Sequence, residues 1–207
     1  MEKVHLDGYN KFKAEFFGNN KELFDKLAKG QNPHTMVITC SDSRVQPATI
    51  LSTNPGDIFV AENIGNAVPP YDTMVGDSTQ AALEYAVVAL KIQHIIILAH
   101  SSCGACAHLY HEPVEGEPHL KHVDKWLELL QPAKDASLLE MYADKNKNIS
   151  EVTEKNNLKL SLNRLMTYPY IREAMDNGQM KIHGWWYNVG TAKVEVYDQA
   201  TKTFRKK

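Results

Sequence analysis

Met36-Val37-Ile38-Thr39-Cys40-Ser41-Asp42-Ser43-Arg44 decides how this chain is read. Its first four residues form an apolar, β-branched run, too short for a helix and suited to a buried strand. Polar residues follow at once. A second segment repeats the arrangement, with Ile95-Ile96-Ile97-Leu98-Ala99 running into His100-Ser101-Ser102-Cys103-Gly104. Each strand therefore ends on side chains able to do chemistry. In open α/β sheets the ligand site lies beyond the carboxyl ends of the strands, where both polar segments fall.

Outward from these strands, the pattern alternates. Residues 8–29 carry Tyr9, Phe12, Phe16, Phe17, Leu23, Phe24 and Leu27 at helical spacing. Gly18-Asn19-Asn20 divides them into two predicted helices, with Asn20 as N-cap of the second. Asn54-Pro55-Gly56-Asp57 is a turn leading into a strand at 58–61. Asp77 or Ser78 caps an amphipathic helix that reaches Leu90. Residues 107–135 read as a helix end, a loop and a helix around Trp126, and residues 136–176 as helical, with a junction at Tyr168-Pro169-Tyr170. Met180–Tyr187 is a fourth strand, and Lys193–Asp198 alternates like an edge strand. The expected fold is α/β: a mainly parallel β-sheet flanked by helices, with an antiparallel edge strand and an N-terminal helical arm. We read 1–207 as a single domain whose arm, 1–30, exposes Phe12, Phe16 and Phe17 and suits the wrapping of a partner.

Composition narrows the function. The chain has 207 residues, 43% of them hydrophobic, enough for one substantial core. A net charge of −2 argues against nucleic-acid binding and strong membrane attraction. No stretch approaches the ~20 apolar residues of a membrane span, and Met1-Glu2-Lys3-Val4-His5 lacks the apolar centre of a signal peptide. Three cysteines do not make a disulfide framework; they fit a reducing compartment, and the cytoplasm is the expected location.

Cys40, His100 and Cys103 offer two thiolates and an imidazole, the donor types of zinc. Three protein ligands leave one coordination position open, the arrangement of catalytic zinc. Two thiolates and a neutral imidazole cancel the charge of the ion, so a bound water is less acidic than with three neutral ligands. Activity is expected to need neutral to alkaline pH. Asp42 sits two residues from a ligand and could itself close the site. Arg44, on the same face of an extended segment, can hold that carboxylate off the metal as a bidentate pair. Cys103-Gly104-Ala105-Cys106 also reads as a redox C-x-x-C motif, a reading that leaves His100 and Cys40 unexplained. His108, His111, His119 and His122 read as a solvated loop, with a proton relay as a second use.

Cys40-Ser41-Asp42-Ser43-Arg44-Val45 with His100-Ser101-Ser102-Cys103-Gly104 resembles the paired zinc motifs of the β-class carbonic anhydrases. The likeness extends through Pro55–Val60, Glu84–Val87, Thr167–Tyr170 and His183–Tyr187, and covers about residues 8–198. The resemblance implies one Zn2+ per subunit on Cys40, His100 and Cys103, and an orienting pair of Asp42 and Arg44. It implies reversible hydration of carbon dioxide to bicarbonate and a proton by attack of zinc-bound hydroxide. It further implies substrate contacts from Gln31, Phe59, Ile64, Tyr85 and the backbone N–H of Gly104. The family builds its sites at a dimer interface, so a homodimer is expected, with a tetramer left open and Gln31 serving the neighbouring subunit. Val37 and Glu62 replace the tryptophan and arginine that bind regulatory bicarbonate in some members, so that site is expected to be absent. Two alternatives stay open: a carbon disulfide or carbonyl sulfide hydrolase on the same scaffold, and a non-catalytic bicarbonate sensor kept shut by Asp42.

Overall fold

The computed structural model describes residues 2–73 and 76–207. It divides into two units, Met1–Asn32 and Pro33–Lys207.

The first unit is helical. The helix α1 (Glu2–Lys11) continues through a π-helical turn at Phe12–Phe17, and α2 (Lys21–Leu27) follows. The helix starts six residues earlier than the apolar spacing predicts, because the polar first turns carry no periodic signal to find. Asn20 stands at the N-cap position but does not cap. Its side-chain amide donates back to the Phe16 carbonyl at 2.7 Å, closing the preceding helix instead. Phe24 packs edge-on against Phe12 and Phe16 and beside Phe17. Phe12 and Phe16 stay exposed.

The second unit is built on a six-stranded sheet in the order β2-β1-β3-β4-β5-β6. The strands are β1 (Thr35–Cys40), β2 (Ile58–Asn63), β3 (His94–His100), β4 (Lys181–Tyr187), β5 (Val194–Asp198) and β6 (Thr203–Lys206). The first four in that order run parallel; β5 and β6 are antiparallel. The continuous apolar runs of β1 and β3 are explained by burial on both faces. Met36, Ile38, Ile95 and Ile97 face one cluster with Leu83, Leu158, Leu162 and Ile171. Val37, Ile96 and Leu98 face another, with Val45. The alternating strand at 194–198 is not the edge as expected. β6 covers it, pairing Tyr197 with Phe204 in register; its four residues were too few and too polar to be read as a strand.

Helices cover the faces: α3 (Pro47–Ile50), α4 (Ser78–Glu84) with a π-helical continuation at Tyr85–Ala89, α5 (Gly104–His108), α6 (Lys121–Leu127), α7 (Gln131–Ala143), α8 (Ile149–Leu165) and α9 (Pro169–Asp176). Asp77 caps α4 as expected, its carboxylate accepting from Thr79 and Gln80 N–H. The stretch read as continuous helix after 136 is interrupted: α7 ends at Ala143, and Asn148 caps α8 by accepting from Ser150 and Glu151 N–H. α8 presses on the sheet where Gly184 of β4 has no side chain; a Cβ there would meet Leu158 Cδ2 at 2.5 Å. Trp186 is buried in the core, while Trp185 on the opposite face is half-buried.

Candidate metal centre

Adjacent parallel strands bring the three donors together. Thr39 of β1 pairs in register with Leu98 of β3, so Cys40 and His100 leave the sheet side by side at its carboxyl end. After β3 the chain turns sharply at Ser102, whose φ of +56° is left-handed, and Cys103 becomes the N-cap of α5. The Sγ atoms of Cys40 and Cys103 lie 4.0 Å apart. All three candidate donor atoms are buried and fall within 4.8 Å of one another.

These residues fit zinc. Two thiolates at 2.3 Å from a tetrahedral ion sit about 3.8 Å from each other, close to the 4.0 Å found. The His100 ring supplies the second test. Its Nδ1 is 2.9 Å from the Ser101 carbonyl, which takes the ring N–H. Nε2 is thereby left with a lone pair, and it is buried with no hydrogen-bond partner. An orphaned buried nitrogen facing two sulfurs asks for a cation. Buried side by side, both thiols resist ionisation. Cys40 is pushed up to about 12 by its hydrogen bond with Cys103 and by burial. Cys103 is pushed up to about 12, first by its contact with Cys106. A metal ion displaces those protons on binding.

Asp42 and Arg44 stand at the mouth. Arg44 donates through Nε to Oδ1 at 2.9 Å and through Nη2 to Oδ2 at 2.7 Å, and its backbone N–H also reaches Oδ1. These hydrogen bonds hold the Asp42 carboxyl well below the usual carboxylate range. Arg44 Nη2 also donates to the Ser102 carbonyl at 3.1 Å, tying the pair to the turn that carries Cys103. The expected bidentate pair is present.

The remaining expected site residues are more dispersed. Gly104 opens α5, where the first N–H groups of a helix have no intrahelical acceptor. Phe59 and Tyr85 face each other with ring centroids 6.0 Å apart. Tyr85 is 52% exposed and Ile64 42% exposed. Gln31 is exposed and belongs to the first unit, not to the unit that carries the donors. Cys106 is free and buried, a small core residue in place of a redox partner. Three of the four histidines expected in this loop meet a surface carboxylate: His108 and His119 flank Asp124, and His111 meets Glu117.

Three supporting residues escaped the sequence reading. Gly65 donates its N–H to Cys40 Sγ at 3.4 Å. Its φ is +81°, and a Cβ would meet Ala105 and Leu130 at 3.0 and 3.1 Å, so only glycine fits. Asn157 of α8 donates to the Gly65 carbonyl at 2.7 Å. Glu154 of α8 accepts the Cys103 backbone N–H at 3.1 Å. The turn sequence Asn63-Ile64-Gly65-Asn66 was the one available signal; the helical pair had none.

A mainly parallel sheet with two sulfurs and one nitrogen gathered at the carboxyl ends of its strands, beside an Asp–Arg pair, places a candidate metal centre where α/β enzymes carry their sites. The family model described as "Carbonic anhydrase" matches residues 35–194. A carbonic anhydrase of Helicobacter pylori is 35% identical over 195 residues, spanning 92% of this chain and 88% of that protein. One from Synechocystis is 36% identical over 199 residues, spanning 96% and 72%. The solved structure of the β-carbonic anhydrase CcaA superposes with a TM-score of 0.90 at 33% identity, covering 100% of this chain and 92% of that one. A tetrameric β-carbonic anhydrase from Sordaria macrospora superposes at 0.81 with 32% identity, covering 95% and 97%. The chain belongs to the carbonic anhydrase family, in its β class. It is an enzyme of carbon dioxide hydration.

Proposed function

We propose that this chain hydrates carbon dioxide reversibly to bicarbonate and a proton with one zinc ion per subunit, held by Cys40, His100 and Cys103. The observation that carries the reading is the unpartnered His100 Nε2, buried beside two sulfurs 4.0 Å apart. A zinc ion held there would supply Lewis-acid chemistry that makes water a stronger acid. Everything else belongs to the protein. Asp42, ionised and already spanned by Arg44, has only acceptor capacity left, so it orients a proton-bearing oxygen and stays off the metal. The Gly104 N–H offers a donor to a substrate oxygen. Phe59, Ile64 and Tyr85 offer apolar surface to a small apolar gas.

Ile64 and Tyr85 are open to water in one chain, which supports a site completed by a second copy. On that reading the arm wraps a partner through Phe12 and Phe16, and Gln31 reaches the neighbouring subunit's centre. The assembly is a homodimer or a pair of such dimers; a relative of known structure is tetrameric. The three free, buried cysteines suit a reducing cytoplasm. Neither a carbon disulfide or carbonyl sulfide hydrolase nor a sensor shut by Asp42 gains support, and the Asp42–Arg44 pairing opposes the latter.

Metal content and stopped-flow hydration rates from mildly acidic to alkaline pH test the proposal. One zinc per chain and a rate rising towards alkaline pH are expected. A metal-free protein with full activity, or zinc-loaded protein inert towards carbon dioxide, refutes it.

A further inference from the structure

α8 brings to the metal centre a carboxylate that lies in none of the motifs. Glu154 is 2% exposed. Its Oε1 accepts the Cys103 backbone N–H at 3.1 Å and its Oε2 accepts the Trp186 indole N–H at 3.0 Å. Burying a carboxylate is costly unless donors compensate for the lost water. Here one of the two donors belongs to a candidate metal ligand, 51 positions away in sequence.

We infer that Glu154 is a positioning residue of the metal centre, fixing the Cys103 sulfur through its backbone; this rests on the zinc reading above. Cys103 follows Ser102, a non-glycine residue at φ +56°. Such a conformation persists only where its surroundings over-determine it. Two groups do so from opposite sides: Arg44 Nη2 on the Ser102 carbonyl, and Glu154 on the Cys103 N–H. The turn therefore presents Cys103 Sγ to Cys40 in a single arrangement.

The chemistry calls for a carboxylate. Both partners are donors, so both Glu154 oxygens must accept. Glutamine has the same shape but one acceptor oxygen; its NH2 group would face one of the two N–H donors. The Trp186 ring is held in turn by the Lys155 ammonium, 4.5 Å from its centroid. One helical turn further along α8, Asn157 donates to the carbonyl of Gly65, whose N–H meets Cys40 Sγ. One helix thus supports both sulfur ligands: Cys103 directly at its backbone, and Cys40 by way of Gly65.

The test compares the full chain with Glu154→Gln and Trp186→Phe. The readouts are zinc dissociation constants by chelator competition and the visible spectrum of the cobalt-substituted proteins. Circular dichroism checks the fold. Glu154→Gln is expected to weaken zinc binding about tenfold or more and to alter the cobalt–thiolate bands. Trp186→Phe, which leaves Oε2 without its donor, is expected to move both readouts the same way by less. A Glu154→Gln protein with wild-type affinity and spectrum overturns the inference. If that variant does not fold, an unchanged Trp186→Phe protein overturns it instead. Failure of the function reading is distinguishable, because then the wild-type chain itself binds no zinc or hydrates no carbon dioxide.

Discussion

The Asp42 carboxylate faces the Arg44 guanidinium through two hydrogen bonds, at 2.9 and 2.7 Å, while its Oδ2 stays 3.9 Å from His100 Nε2. The same carboxylate thus stands beside the candidate ligand His100 and is held by a neighbour two residues away. A bidentate charge-assisted pair is directional as well as strong, so the orientation of the Asp42 carboxylate is built into local chain geometry.

Removing either partner changes the mouth without touching the donors. Arg44→Ala frees Asp42 to close on the metal, and Asp42→Ala removes the orienting acceptor. Each is expected to lower the carbon dioxide hydration rate by roughly 100-fold, the scale of a misplaced reacting group, with zinc content unchanged. Stopped-flow rates with metal analysis on the same samples check this; wild-type turnover in either variant would remove the pair from catalysis.

Zinc is expected to stabilise the fold, since the ligands come from two strands and a turn that meet only when the chain is folded. Free zinc at about 1,000 times its dissociation constant adds about 4 kcal/mol. Thermal melts of chelated protein should rise on zinc addition. Cys40→Ser, short of one thiolate, should lose that dependence together with the metal.

The His94–His183 pair gives the fold a pH dependence of its own. The ring nitrogens are 3.2 Å apart. Burial, then the neighbouring His94 and Lys181, hold His183 below the ordinary histidine value. The unfolded chain therefore takes up the proton at higher pH than the folded one. Stability is complete above about pH 6.5 and declines as pH falls below it, towards the depressed folded value. In urea titrations of zinc-free protein between about pH 7 and 5, where the raised His100 acts in the opposite sense, the wild type should lose more stability with falling pH than His183→Gln. An equal slope in the variant would assign the effect elsewhere.

Gly184 is a contact-imposed glycine. A Cβ there lies 2.5 Å from Leu158 Cδ2 and 2.8 Å from Leu162 Cδ1. Gly184→Ala is expected to cost about 1–3 kcal/mol by overpacking, read from denaturant midpoints. Trimming Leu158 in the same chain should recover part of the loss. A midpoint that does not move would show that α8 can shift freely against β4.

Sequence and structure divide the account along a physical line. Local chemistry was legible. The buried runs before Cys40 and His100 announced parallel strands, because apolar side chains on consecutive residues have no solvent face to alternate with. The donor types pointed to a metal centre, and Asp42 and Arg44, two residues apart, announced their own pairing. What needed the folded chain was every relation between distant segments. β6 was invisible because a short polar strand is stabilised by its partner, not by its own pattern. Asn20 had the composition of a cap, but its amide found the Phe16 carbonyl first. Glu154 and Asn157 lie among ordinary helical residues of α8, and nothing in their neighbours marks them. Only the packing of α8 on β3 and β4 carries that carboxylate to Cys103 and that amide to Gly65. The residue types on the strand ends were therefore legible by themselves, whereas the rigidity with which they are held came from tertiary contacts, because a hydrogen bond to a buried backbone group records where a residue lies and leaves no trace in its spacing.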